Sequence, residues 1–149
     1  MKMYKNILVP TDGSALSRAA IAAAVKLAKS TGAKVTAFYA APPATPLVYE
    51  NLLPVSYVTS GEHAAAIKKA VERHLDVAAK AAKAAGVKCK LVHVTSDFPA
   101  DAILTAARKE KCDLIFIASH SRRGLARMLL GSETQKVIAN AKIPVLVHR

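Results

Sequence analysis

The stretch from Ala118 to Ser132 reads Ala-Ser-His-Ser-Arg-Arg-Gly-Leu-Ala-Arg-Met-Leu-Leu-Gly-Ser. An apolar run, Leu114-Ile115-Phe116-Ile117, leads into it, and a helix-like run from Glu133 to Ala141 leads out. A strand that empties into small residues and re-enters a helix at Gly-Ser is suited to holding an anion. The first N–H groups of the helix lack internal partners, and its dipole places positive charge there. Arg122 and Arg123 add charge of the matching sign. Ser132 is expected to cap the last helix and to meet a phosphate. Arg122, Arg123 and Arg127 read either as phosphate contacts or as a solvated basic loop.

A second candidate is Asp12, in Pro10-Thr11-Asp12-Gly13-Ser14. Its carboxylate can brace the turn as an Asx side chain and can also accept from a ligand hydroxyl. Other chemistries lack their residues. No Gly-x-x-x-x-Gly-Lys-Ser/Thr loop supplies a phosphate-binding lysine, and no Gly-x-Ser-x-Gly elbow supplies a nucleophile. Asp12 stands alone, without the acidic cluster of a phospho-receiver. His120 reads as a solvated loop histidine and His93 as packed within a strand. His63, His74 and His148 share no metal-ligand spacing. Cys89 and Cys112 belong to no Cys-x-x-Cys pair and read as small packing residues.

The elements that must position these residues follow from periodicity. Apolar runs at 7–9, 35–40, 90–94, 113–118 and 144–148 read as strands apolar on both faces. Between them lie helical patterns. The first is capped by Ser14 and stopped by Gly32, with Leu16, Ala20, Ala24 and Leu27 as its inner face. The second runs from about 62 to 85 on Ile67, Val71, Leu75, Ala78 and Ala82, and Gly86 closes it. The third opens at Pro99, with Ile103, Ala106 and Ala107 inward. Residues 42–60 hold four of the seven prolines and read as a long loop. Strands alternating with helices predict a mostly parallel sheet covered on both faces. Ligands of such sheets bind outside the carboxyl ends of the strands, at the switch point.

The chain has 149 residues, 52% of them apolar, which is enough for one core. A single domain over 1–149 is expected. The net charge is +12, from 22 Lys and Arg against 10 Asp and Glu. The lysines are spread over helix faces, and no aromatic residues interleave with them as a nucleic-acid stacking platform requires. No specific nucleic-acid partner is expected; non-specific polyanion binding through bulk charge is a lesser alternative. No apolar run approaches 18 residues, and Met1 to Asn6 lead into a strand without a signal core, so a cytoplasmic protein is expected.

These motifs, in this order and at these distances, resemble the universal stress protein family over essentially the whole chain. The carriers are Ile7-Leu8-Val9-Pro10-Thr11-Asp12-Gly13-Ser14, Pro99-Ala100-Asp101-Ala102-Ile103, Asp113 to Ile117, Gly131-Ser132 and Ile143-Pro144-Val145-Leu146-Val147. The resemblance implies an open five-stranded α/β sheet of the Rossmann-like, adenine nucleotide alpha hydrolase-like kind. It also implies a homodimer through the last strand, Pro144 to His148. Nucleotide-binding members carry Gly-x-x-Gly, nine residues, then Gly-Ser or Gly-Thr. Here the spacing is kept, but Ala118 and Ser121 stand in place of the first two glycines. Those glycines let ribose and phosphate approach the backbone.

Carried over by position, Pro10, Thr11 and Asp12 line the adenosine end, and Ala40 or Ala41 meets adenine through the backbone. Ala118, Ser119 and Ser121 border ribose and phosphate, with Arg122 beside them. Gly131, Ser132, Glu133 and Thr134 donate to phosphates. The expected function is a sensor or signalling module, not an enzyme, that binds ATP or AMP, with Mg2+ as an accompanying ion. A nucleotide-free dimeric interaction protein of the same family is the alternative.

Overall fold

The computed structural model describes residues 3–43, 60–119 and 131–149, apart from the side chains of Ser60 and His63. The elements run β1 (Asn6–Pro10), α1 (Ala15–Thr31), β2 (Lys34–Ala41), α2 (Ser60–Ala85), β3 (Cys89–Thr95), α3 (Pro99–Lys109), β4 (Leu114–Ala118), α4 (Ser132–Asn140) and β5 (Val145–His148). The five strands form one sheet in the order β3-β2-β1-β4-β5. All four strand pairings are parallel. The expected mostly parallel α/β sheet is therefore present, with β1 and β4 flanking the point where the order reverses.

Alternation along the strands divides the core. Ile7 and Val9 of β1, with Leu114 and Phe116 of β4, face α1 and α2. Leu8, Ile115 and Ile117 face α3 and α4, together with Phe38, Ile103 and Val137. Each such side chain contributes about 1.5–3 kcal/mol through burial. Polar bonds at the opposite end of the sheet hold the register. The Asp113 carboxylate accepts from the backbone N–H of Lys5 at 2.8 Å and of Asn6 at 3.0 Å.

The signals at both ends of α1 act as read. Ser14 caps α1 by accepting from the Ser17 N–H, and Gly32 ends it at φ 73°. The inner face of α1 differs from expectation. Ala20, Ile21, Ala24, Val25 and Ala28 are buried, whereas Leu16 is 38% exposed. The row of alanines lets the helix approach the sheet closely, and Ile21 and Val25 fill the space beside it. Strand β3 also departs from a doubly buried pattern. It is an edge strand, and Leu91 and Val94 on it are exposed. His93 is exposed rather than packed. Both cysteines are free, and β1 and β2 separate β3 from β4. No helix among the described residues is long and apolar enough to cross a membrane.

Candidate functional site

The carboxyl ends of β1, β2 and β4 open into a cavity of about 210 Å³. Pro10, Thr11, Asp12, Ala40, Ala118, Glu133 and Thr134 line it, so these residues named from sequence share one cavity. Ser17, Phe38, Tyr39, Pro99, Ile103 and Ile117 complete the lining. Ala41 is buried at the end of β2, where its carbonyl accepts from the Ser96 N–H at 2.9 Å. The Ser119 N–H donates to the His148 carbonyl at 2.8 Å, which commits it to β5. Ser121 and Arg122, with His120, Arg123 and Arg127, lie outside the described residues, as does most of the 42–60 loop.

The β1–α1 turn is built around Asp12. Its Oδ1 accepts from the Ser17 hydroxyl at 2.6 Å and from the Ser14 N–H at 2.9 Å. The Asx role read from sequence is therefore present. The Gly13 N–H donates to Thr11 Oγ1 at 3.1 Å, and the Thr11 N–H donates to the Phe38 carbonyl at 2.8 Å. Gly13 sits at φ +82°, and a Cβ there would overlap the His74 imidazole. His74, carried by α2, meets Tyr39 edge to face at 5.0 Å. Burial lowers the His74 pKa, and the neighbouring Arg73 and Arg18 push the same way while Asp12 opposes them. Burial raises the Tyr39 pKa, helped by the Asp12 charge and opposed by Arg73.

The far wall is the start of α4. Thr134 is buried, and its hydroxyl donates to the Ala118 carbonyl at 3.1 Å. The proton of that hydroxyl is engaged by the protein itself, so the donor that Thr134 keeps is its backbone N–H. Gly131, not Ser132, is the N-cap of α4, and no side chain caps that end. Ser132 is the first helical residue, because Gly131 takes the extended backbone (ψ 151°) that a cap position requires. Glu133 Oε2 accepts from the Ala100 N–H at 2.9 Å, at the start of α3.

Ser17, Tyr39 and His74 were missed from sequence. Ser17 follows the Ser14 cap by three residues, a spacing that turns it inward over Asp12. Tyr39 and His74 carry no local signal. No set of three or more His, Cys, Asp or Glu residues among the described residues is arranged to hold a metal ion. The site can hydrogen-bond hydroxyls and present backbone N–H groups.

The universal stress protein family model matches residues 3–149. A universal stress protein of Methanocaldococcus jannaschii is 36% identical over 148 residues, covering 97% of this chain and 82% of that protein. One from Thermus aquaticus is 33% identical over 147 residues, covering 99% of this chain and all of that protein. Among solved structures, a universal stress protein in complex with cAMP superposes with a TM-score of 0.71 at 28% identity, covering 98% and 97% of the two chains. The chain belongs to the universal stress protein family.

Proposed function

We propose that the chain binds an adenine nucleotide in the cavity at the ends of β1, β2 and β4 and acts as a stress-response sensor rather than a catalyst. The observation that carries this reading is the convergence of Asp12, the Ala40 backbone and the uncapped α4 start on one cavity. A volume of about 210 Å³ lies below the roughly 300–1,000 Å³ of drug-sized pockets. It suits the nucleoside half of a ligand, with phosphates lying toward Gly131 and Ser132. Asp12 accepts from a ribose hydroxyl, and Ala40 or Ala41 meets adenine through the backbone. The similar protein solved with cAMP supports the ligand class. AMP or ATP remains the expected physiological form, with Mg2+ carried on the phosphates of the latter.

Catalysis is not part of the proposal, because Asp12 Oδ1 braces the turn through Ser14 and Ser17 and, among the described residues, no nucleophile–base pair lines the cavity. Two copies are proposed to pair through β5, the edge strand that exposes Leu146. Two free cysteines, one of them buried, fit a reducing cytoplasm.

Ala118 favours a second reading, a nucleotide-free interaction protein, because it lines the cavity at a position where nucleotide-binding members have glycine. Mass spectrometry of small molecules released from the purified protein, with calorimetry of added AMP and ATP, separates the two. An adenine ligand supports the first. No release, and no binding at millimolar nucleotide, supports the second.

A further inference from the structure

The helices α3 and α4 both begin without a side-chain cap of their own. One carboxylate links the two starts. Glu133 is carried in the first turn of α4, and its Oε2 accepts from the Ala100 N–H in the first turn of α3. Its Oε1 lies 3.3 Å from Lys136 Nζ, and that lysine side chain is 63% exposed. The positive end of α3 is thus served by an anion of the chain itself.

Glu133 also stands in the wall of the cavity, as does Asp12. Among the described residues that line the cavity there are two carboxylates and no Lys or Arg. A phosphate drawn to the N–H groups of α4 therefore arrives within one helical turn of a fixed negative charge. The first phosphate gains from the helix end. Each further phosphate adds charge against Glu133, which Lys136 screens in part.

Resting on the proposal that the cavity holds an adenine nucleotide, we infer that Glu133 is a specificity determinant. It admits adenosine and adenosine monophosphates and disfavours the triphosphate.

Calorimetric titration of the full chain with adenosine, AMP and ATP tests this, with and without Mg2+. The wild type is expected to bind AMP more tightly than ATP by on the order of tenfold. Glu133→Gln keeps an acceptor for the Ala100 N–H and removes the charge. It is expected to recover most of the lost ATP affinity while leaving adenosine within about twofold. Lys136→Met leaves the pocket lining intact and removes the screening, so it is expected to widen the AMP-to-ATP ratio. This variant keeps the test decisive if Glu133→Gln folds poorly. ATP binding as tight as AMP in the wild type, in either buffer, overturns the inference. So does a ratio unchanged in both variants. Adenosine binding without phosphate discrimination overturns Glu133 alone, whereas the absence of binding by any adenine ligand overturns the parent proposal as well.

Discussion

The Thr134 hydroxyl reaches the Ala118 carbonyl at 3.1 Å and so joins the end of β4 to the first turn of α4. These residues bracket the segment that resembles the family's nucleotide motif. The bond fixes the distance between the end of β4 and the start of α4. Both partners are buried, so loss of the donor leaves a carbonyl without replacement water. Thr134→Val is expected to lower unfolding free energy by about 1–2 kcal/mol and to weaken AMP binding. Thr134→Ser is expected to restore most of both. Urea denaturation and calorimetry read the two effects, and equal behaviour of Val and Ser would remove the hydroxyl from the account.

Gly13 and His74 form a steric pair that a double-mutant cycle resolves. Gly13→Ala meets two penalties, a left-handed backbone and overlap with the imidazole. The backbone part alone costs about 1–2 kcal/mol. In a His74→Ala background only that part is expected to remain. Purely additive effects would show that the ring does not confine the turn.

His74 also predicts a pH dependence. Its folded pKa lies below the ordinary 6.5, mainly through burial. The folded state then holds fewer protons than the unfolded state over that interval. The stability from neutral His74 is complete above pH 6.5 and is lost as pH falls toward the folded pKa. Denaturation midpoints between pH 8 and 5 should fall more steeply in the wild type than in His74→Phe. Identical slopes would argue against a half-buried, neutral His74.

Much of this arrangement was legible because its signals are local. Ser14, Gly32, Gly86 and Pro99 mark helix ends where read, since caps and stops depend on a few neighbouring residues. Apolar strands alternating with helical patterns pointed to the parallel sheet, and the cavity lies at the carboxyl ends of its strands, where such sheets are expected to take ligands. What was not legible depends on contacts between distant segments. His74 lies next to Leu75 on α2 and reveals its position over Gly13 only when α2 packs across the β1–α1 turn. Glu133 reads as a first-turn acid, and its partner Ala100 is 33 residues away. The cap of α4 was misassigned by one residue because Gly131 and Ser132 are both acceptable there, and only the backbone decides.

If the proposed site holds a nucleotide, Ala118 is the described lining residue that departs from the family's glycine motif. Glycine at this lining position carries no side chain and leaves the backbone freer at the end of β4. Ala118→Gly combined with Ser121→Gly is expected to tighten AMP binding several-fold, at a stability cost of about 0.5–1 kcal/mol for each strand or loop glycine. Unchanged affinity would show that these two side chains do not limit the site.

The central claim is that the cavity beside Asp12 holds an adenine nucleotide. Its most direct measurement is calorimetric titration of AMP into the wild type and into Asp12→Ala, with thermal melts confirming that both are folded. The account predicts saturable 1:1 binding by the wild type and at least about tenfold weaker binding by the variant, consistent with loss of one charge-assisted hydrogen bond. Binding of equal strength in both proteins would place the nucleotide elsewhere, and no heat from the folded wild type at millimolar AMP would contradict the claim outright.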